Sequence, residues 1–262
     1  MLPILISETN ESGLIIQDLA SQLGLDFLIR GEEKKKQSSI NDEYYLVRGK
    51  KKSHLQIGLK GKQKPIFCNF TEWANNNKKS NLLRCMKGLP LDCSVVDATA
   101  GFGRDALELA TVSRSVVLIE RIPWMYYLLK DGIRNSTQES VLTLVNKFKL
   151  VQSEAREYLN IEINKTDVIY LDPMYPHREK SSQVKKEMRL FQTLVGEDLD
   201  DAELLSAALK KARYRVVVKR PRKGLAIEGA TPSYQLMGKS CRYDIYSIKS
   251  ITGLKGRAES QI

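Results

Sequence analysis

The chain is predicted to adopt an α/β fold, in which a mostly parallel sheet flanked by helices ends in an antiparallel hairpin. Beyond residue 90, short apolar runs rich in Val and Ile alternate with helical stretches. The last two apolar runs, Ser233–Met237 and Cys241–Ile248, are separated by Gly238-Lys239-Ser240 without a helix between them, as in a β-hairpin. Residues 1–75 hold short strands between Gly residues and charge runs. We therefore expect a small N-terminal α+β subdomain over 1–75 and the main domain over 76–262.

The N-terminal part is predicted to contain a helix over Gly13–Leu23. Ser80, which ends the polar segment Asn75–Ser80, is predicted to cap a helix that runs to Lys87. Strands are predicted at Leu2–Ile6, Tyr44–Val47, Leu55–Leu59 and Ile66–Asn69.

In the main domain, strands and helices are predicted to alternate up to the hairpin. The strands are Ser94–Ala98, Ser115–Glu120, Phe148–Gln152, Asp167–Asp172 and Tyr214–Arg220. The helices are Arg104–Ala110, Trp124–Asn135 with Pro123 in its first turn, Glu154–Leu159, Val184–Val195 and Asp200–Ala212.

Composition narrows the class of protein. The 262 residues are 42% apolar, which is enough for a sizeable core and excludes a disordered chain. No apolar run reaches 18 residues, so we expect no transmembrane helix. The apolar start of the chain is followed by Glu8 without a cationic segment ahead of it, so we expect no secretory signal.

The cysteine and histidine content indicates a reducing compartment and no His-rich metal site. Four cysteines show no C-x-x-C spacing, and we expect them to be reduced, buried thiols in the cytoplasm. His54 and His177 are the two histidines.

Positive charge is concentrated in two segments. The formal net charge is +11; Arg30–Lys64 holds eleven basic residues against four acids, and Lys210–Lys223 holds eight and no acid. Such a balance favours nucleic acid or an anionic membrane, although it can also serve solubility alone. Because the second segment contains an apolar run typical of a strand, rather than an amphipathic helix, nucleic acid is favoured. The residues predicted to bind the nucleic acid are Lys219, Arg220 and Arg222 of the second segment, together with His177, Lys180, Lys185, Lys186 and Arg189.

Asp97 ends a predicted buried strand and is followed by a turn with Gly101 and Gly103. Ligands of such sheets bind beyond the carboxyl ends of the strands, where glycines let the backbone approach them. The third glycine of a dinucleotide motif is replaced by Ala106, and Asp97 and Asp105 would repel a pyrophosphate. They suit a ligand with an ammonium or sulfonium charge. An ordinary strand-turn-helix capped by Asp is the alternative.

Glu120 ends the next predicted strand, 23 residues after Asp97. An acid at this place can accept both hydroxyls of a ribose. It does not distinguish a methyl donor from a nicotinamide cofactor, and a salt bridge at a strand end is the alternative.

A proline-rich loop follows the predicted strand that ends at Asp172. Pro173 and Pro176 stiffen the loop, and Tyr175 offers a flat face to a base. The loop resembles the Asn/Asp-Pro-Pro-aromatic loop of methyltransferases that act on exocyclic amines of bases. A carboxylate that accepts the amine hydrogens would raise the lone-pair density on the nitrogen. We therefore predict Asp172, Pro173 and Tyr175 as catalytic residues, the alternative being a common turn with an aromatic at its rim.

Taken in order, the motifs resemble those of one family. A sheet that finishes in an antiparallel hairpin resembles the Rossmann-like fold of class I S-adenosylmethionine-dependent methyltransferases. The chain is further similar to the ribosomal small-subunit RNA guanine-N2 methyltransferase J family over about 94–248. The motifs are Asp97-Ala-Thr-Ala-Gly-Phe-Gly-Arg-Asp105, Leu171-Asp-Pro-Met-Tyr-Pro-His177, Val184-Lys-Lys-Glu-Met-Arg-Leu-Phe-Gln192, Val216-Val-Val-Lys-Arg-Pro221 and Arg242-Tyr-Asp-Ile-Tyr246.

This resemblance implies a set of contacts to the methyl donor. Two positions depart from the family pattern: Asn75–Ser80 lacks the usual Gly-rich, Arg-containing sequence, and Glu154 replaces a small polar residue. Together with Asp97, Gly101 and Gly103 from the turn, the implied donor contacts are Arg104, Asp105, Glu120, Arg121, Ser153, Glu154 and Asp172.

The resemblance implies a cytoplasmic enzyme that methylates the N2 amine of a specific guanine in small-subunit (16S) ribosomal RNA. S-adenosyl-L-methionine would be the donor and S-adenosyl-L-homocysteine the product, without a metal because a sulfonium is already a good leaving group. The partner would be the ribosomal RNA or the assembling small subunit, and no membrane. Three alternatives stay open: an amine methyltransferase on another RNA or DNA base, a nicotinamide-dependent dehydrogenase, and a non-catalytic RNA-binding module.

Overall fold

The computed structural model describes residues 2–8, 12–29, 44–57, 64–75, 80–161, 165–174, 194 and 201–249. The helix predicted over 184–195 lies outside these ranges except for residue 194. The chain forms two compact units, one of Met1–Phe70, Ile122–Ser136 and Met174–Glu197, the other of Thr71–Arg121, Thr137–Pro173 and Asp198–Ile262. The domain boundary after residue 75 stays a prediction. No helix in the described ranges is both long and apolar enough to cross a bilayer.

The first unit contains a sheet of four short strands in the order β2-β1-β3-β4. β1 is parallel to β2 and β3, and β4 is antiparallel to β3. The β1–α1–β2 crossover explains the parallel pair, and Gly24 ends α1 in the left-handed region, with a φ of 64°. The elements of this unit are β1 (Ile4–Ser7), α1 (Gly13–Leu23), β2 (Phe27–Leu28), β3 (Tyr44–Arg48), β4 (His54–Ile57) and α5 (Pro123–Arg134).

One strand predicted in this region is wrong. Of Ile66–Asn69, only Ile66 forms an isolated antiparallel bridge, to Leu55. Helix α2 (Phe70–Asn75) begins directly after this segment, so the apolar run leads into a helix. The helix predicted over 13–23 and the strands β1, β3 and β4 are confirmed, with ends shifted by up to two residues.

The second unit contains a seven-stranded sheet in the order β10-β11-β9-β8-β5-β6-β7 within the described part of the chain. The five strands from β9 to β7 run parallel, and β11 and β10 add to the edge as an antiparallel hairpin. This is the predicted fold class. The strands are β5 (Ser94–Asp97), β6 (Ser115–Glu120), β7 (Phe148–Gln152), β8 (Thr166–Leu171), β9 (Ala212–Pro221), β10 (Tyr234–Met237) and β11 (Cys241–Ser247).

The helices of this unit flank the sheet and bury its apolar residues. One core cluster joins α7 and α8 to the central strands through Leu159, Leu205, Val96, Ile169 and Val216, all at most 2% exposed. Each of these central strands has a continuous apolar run in its middle, Val95–Val96 in β5, Val168–Leu171 in β8 and Val216–Val218 in β9, as expected for parallel strands covered by helices. The helices are α3 (Asn81–Cys85), α4 (Arg104–Ala110), α6 (Glu139–Val145), α7 (Ala155–Ile161) and α8 (Asp201–Lys211).

Candidate active site

The carboxyl ends of four adjacent parallel strands bring the predicted donor residues to one edge of the sheet. In the order β8-β5-β6-β7, these strands lead to Asp172, Asp97, Glu120 and Ser153. The register places Asp97 beside Tyr170. Because ligands of such sheets bind at this edge, it is the place to look for a site.

The turn between β5 and α4 depends on its two glycines. Gly101 and Gly103 have φ angles of 54° and 77°, which side chains with a Cβ rarely adopt. The N–H of Gly101 donates to Oε2 of Glu120 over 3.0 Å, and this carboxylate is 8% exposed. A Cβ placed on Gly101 would meet nothing within 4 Å, so the turn faces open space. Glu120 thus holds the backbone of the turn at the predicted ligand edge.

Asp97 is buried in this edge, with 1% of its surface exposed. Its Oδ1 accepts a hydrogen bond from the N–H of Thr99 over 3.1 Å. Burial raises the pKa of Asp97 well above its usual value, and the nearby carboxylate of Asp105 adds to the rise. Asp97 therefore shapes the start of the turn.

Lys219 joins two predicted site residues that lie on different elements. Its Nζ donates to Oδ2 of Asp105 over 2.7 Å and to Oδ2 of Asp172 over 2.8 Å. The register pairs Leu171 with Val218, so Asp172 and Lys219 follow at the ends of neighbouring parallel strands. Tyr170 also donates its hydroxyl to Oδ2 of Asp105, over 2.5 Å. The result is a network that links α4, β8 and β9.

The charges in this network shift one another's pKa values. Burial raises the pKa of Asp105, but the Lys219 ammonium and the Tyr170 hydroxyl outweigh it, so that the pKa lies below its usual value. Burial raises the pKa of Asp172; Lys219 opposes the rise and Asp105 adds to it. Burial disfavours the charged form of Lys219, but the two carboxylates hold its pKa well above the usual value. The ammonium is thus the counter-ion of both acids.

A second contact fixes the start of the proline loop. The N–H of Asp172 donates to Oγ1 of Thr99 over 2.6 Å. The loop after β8 is therefore hydrogen-bonded to the turn after β5 through Asp172, which Pro173 follows directly. Thr99 and Tyr170 were not among the predicted site residues. Thr99 follows Asp97 by two residues and Tyr170 precedes Asp172 by two, and this closeness to predicted acids was the signal available in the sequence.

The remaining predicted donor residues lie around the same edge. Ser153 donates its N–H to the backbone oxygen of Glu120 over 3.2 Å and its hydroxyl to that of Glu154 over 3.1 Å. The side chains of Ser153 and Glu154 are half-buried, whereas Arg104 and Arg121 are exposed.

The predicted RNA-binding residues fall into two groups. Lys219 lies in the carboxylate network, and Arg222 is exposed just beyond β9. Arg220 is only 7% exposed and donates to the backbone oxygen of Leu225 and to Asp201, so we do not retain it as a phosphate contact. The other five predicted RNA-binding residues lie outside the described ranges; they are His177, Lys180, Lys185, Lys186 and Arg189. Tyr175 and Pro176 of the proline loop also lie outside these ranges.

The residues at this edge of the sheet fit S-adenosylmethionine as the methyl donor. An open glycine turn lies beside a buried acid at the end of β6, where a ribose can be held. The acids at the ends of β5 and β8 and in α4 outnumber the Lys219 ammonium that pairs with two of them, so this edge suits a ligand that carries ammonium and sulfonium charges. This parallel sheet with its terminal hairpin and acid-lined turn defines a class I methyltransferase.

A family model described as SAM-dependent methyltransferase matches residues 32–248. The chain therefore belongs to the S-adenosylmethionine-dependent methyltransferase family, and the nicotinamide alternative is not supported. Along almost its whole length the chain also resembles the crystal structure of a SAM-dependent methyltransferase from Neisseria gonorrhoeae. That likeness has a TM-score of 0.70 and 28% identity, and covers 96% of this chain and 99% of the other.

Two curated relatives carry the name ribosomal RNA small subunit methyltransferase J. The protein from Stutzerimonas stutzeri is 53% identical over 159 residues, 60% of this chain. The protein from Ectopseudomonas mendocina is 50% identical over 161 residues, 61% of this chain. In each case the match spans 62% of the relative's length.

Proposed function

We propose that the protein transfers a methyl group from S-adenosylmethionine to the exocyclic N2 amine of a guanine in small-subunit ribosomal RNA. The observation that carries this proposal is the position of Asp172. It stands at the carboxyl end of β8, next to the acids of the donor edge, and begins a loop of the kind that amine methyltransferases use. The names of the two curated relatives support the ribosomal substrate.

The residues that would hold the donor come from three strand ends and one helix. Glu120 would accept the ribose hydroxyls while its Oε2 keeps the turn at Gly101 in place. Asp105 would face the cationic part of the donor, and Ser153 with Glu154 would border the adenine of the donor. When bound, S-adenosylmethionine supplies a methyl group on a sulfonium, whose sulfur leaves with the bonding electron pair as S-adenosylhomocysteine.

Asp172 would act on the nucleophile. The lone pair of a guanine amine is delocalised into the ring, so the free amine is a poor nucleophile. A carboxylate oxygen that accepts one amine hydrogen would orient the nitrogen and raise its lone-pair density toward the methyl group. The nitrogen gains the methyl carbon and releases one proton to water. Tyr175 would stack on the base, which must leave its helix or tertiary fold to reach the site.

Positive charge beside the site supports an RNA substrate. Arg222 and Lys223 are exposed just beyond the carboxyl end of β9, the strand that carries Lys219, and the segment from 210 to 223 holds no acid. A ribosomal substrate would place the enzyme in the cytoplasm, as the sequence predicts, with the assembling small subunit as its partner. Direct in-line transfer from a sulfonium would need no metal.

The test is methyl transfer into ribosomal subunits that lack the modification. Small subunits from a strain without the gene are incubated with the protein and S-adenosylmethionine labelled in its methyl group, and the modified base is mapped by mass spectrometry. We expect one N2-methylguanine in the small-subunit RNA. Label in another base, in large-subunit RNA or in DNA would contradict the proposed substrate, and binding of RNA without transfer would indicate a non-catalytic module.

A further inference from the structure

Lys219 lies where the donor side and the target side of the site meet. One ammonium group bonds to Asp105 on α4 and to Asp172 at the end of β8, at 2.7 and 2.8 Å. The three side chains are partly shielded from solvent, with exposed fractions of 26% for Lys219, 21% for Asp105 and 36% for Asp172. An ion pair with this degree of shielding is stronger than a surface pair, because less water screens it.

The ion pair with Lys219 also determines which carboxylate oxygen of Asp172 is already hydrogen-bonded. Lys219 engages Oδ2, and the N–H of the same residue is held by Thr99. With its backbone and one carboxylate oxygen both anchored, the carboxyl group has a defined orientation. The acceptor for a base amine is then Oδ1. Without the ammonium, Asp172 would face the other acids with no counter-ion from β9.

We propose that Lys219 is a positioning residue for methyl transfer, which orients Asp172 and keeps it ionised while the amine is methylated. This inference rests on the proposed function and assigns Lys219 a task different from the phosphate contact that the sequence predicts. Two fixed hydrogen bonds leave the ammonium committed to carboxylates. A phosphate contact would instead require it to face the nucleic acid.

The charged groups that face Asp172 determine how the removal of Lys219 would change the pKa of Asp172. Among the described residues they are Asp97 at the end of β5, Asp105 on α4, Tyr170 on β8 and Lys219 on β9, with Tyr243 of β11 next to Lys219. Of these, Lys219 is the cation that lowers the pKa of Asp172, whereas burial and Asp105 raise it. Removing the cation should therefore raise this pKa further, so that the carboxylate forms only at higher pH.

The experiment is single-turnover methylation at saturating donor and RNA, measured against pH, for Lys219→Met. We expect the acidic limb of the pH profile to move to higher pH, so that on this limb the rate falls by about tenfold for each pH unit of the shift and recovers as pH rises. Lys219→Arg keeps the charge and should retain the wild-type pH profile. In an Asp172→Asn background, Lys219→Met should have a much smaller effect, because no carboxylate is left to ionise. Lys149→Met, which removes an exposed lysine from β7, is the matched control and should leave the profile unchanged.

Three results would overturn the inference. The first is a wild-type rate and pH profile for Lys219→Met. The second is a loss confined to RNA affinity, with a shallower salt dependence and a normal rate at saturation, since that is the signature of a phosphate contact. The third is a loss of equal size in the Asp172→Asn background. If the wild-type protein itself methylates no ribosomal RNA, the proposed function fails instead, and the two failures are thereby distinguished.

Discussion

The backbone N–H of Asp172 donates a 2.6 Å hydrogen bond to Oγ1 of Thr99, and this bond ties the loop after β8 to the turn after β5. The turn carries the predicted donor residues, and the loop begins with the residue assigned to the amine. Methyl transfer requires both partners to be held in line. We infer that Thr99 couples the two halves of the site, and this leads to the first prediction.

Thr99→Val removes the acceptor and leaves the side-chain shape nearly unchanged. The N–H of Asp172 then loses its partner, and the start of the loop is less well fixed. We expect the single-turnover rate to fall by about two- to twelvefold, since one neutral hydrogen bond contributes about 0.5–1.5 kcal/mol. Thr99→Ser keeps the hydroxyl and should stay within about threefold of wild type. Equal rates for Thr99→Val and wild type would show that the bond does not position Asp172.

Donor binding should depend on Glu120. Glu120→Ala removes both the predicted ribose acceptor and the acceptor for Gly101, and we expect the Kd for S-adenosylhomocysteine to rise at least about tenfold. Glu120→Gln keeps an acceptor oxygen for the turn and should lose less affinity. Titration calorimetry measures both, with Glu157→Ala on the exposed side of α7 as the control. A folded Glu120→Ala variant with wild-type donor affinity would contradict this assignment.

RNA binding should depend steeply on salt, whereas donor binding should not. Arg222 and Lys223 are exposed beyond β9, and each phosphate contact contributes about −0.9 to the slope of log affinity against log salt for a duplex and about −0.7 for a single strand. The double variant Arg222→Gln with Lys223→Gln should reduce the magnitude of the slope by about 1.4–1.8. Fluorescence anisotropy with labelled RNA over a range of salt concentrations is the measurement. An unchanged slope would remove these two residues from the interface.

Stability of the hairpin edge should depend on a buried ion pair. Arg242 donates to both carboxylate oxygens of Asp244, at 2.8 and 3.0 Å, and to the backbone oxygens of Pro221, Arg222 and Gly224. The two residues are 5% and 0% exposed, so Asp244→Ala leaves a buried guanidinium without its counter-ion.

We expect Asp244→Ala to lower the free energy of unfolding by about 3–5 kcal/mol. The control is Glu203→Ala, which breaks an exposed pair with Arg156 of 4.0 Å and should cost at most about 1 kcal/mol. Denaturant titration measures both variants. Equal small losses for the two would mean that the buried pair contributes no more than the exposed one.

Much of the sheet could be predicted because its strands are bounded by strong local signals. β6 and β7 and helix α4 have the predicted ends, since apolar runs end at turn residues on both sides. Helix α6, in contrast, was not predicted. Its buried residues Val141 and Val145 are one turn apart, but they lie in a short segment whose other positions are exposed or half-buried. The apolar periodicity of α6 therefore spans too few residues to predict a helix.

The site could be predicted as a set of strand ends, but its internal pairing could not. Asp97, Glu120 and Asp172 were expected at one edge because parallel strands end together. Lys219 was expected among the phosphate contacts, since the sequence shows it as one of eight basic residues in a short segment. Its pairing with Asp172 follows from the register of β8 against β9, and register is a property of the tertiary fold rather than of local sequence.

The most direct test of the account is the single-turnover rate of Asp172→Ala at saturating donor, with small subunits that lack the modification as substrate. Loss of the acceptor should lower the rate about 100-fold or more, by comparison with the loss of one preorganised hydrogen-bond donor in an oxyanion hole. Asp172→Asn keeps a neutral acceptor and should retain more activity, and both variants should still bind S-adenosylhomocysteine. If Asp172→Ala transfers methyl groups as fast as the wild-type protein, the carboxylate at the end of β8 does not act on the amine, and the proposed site is wrong.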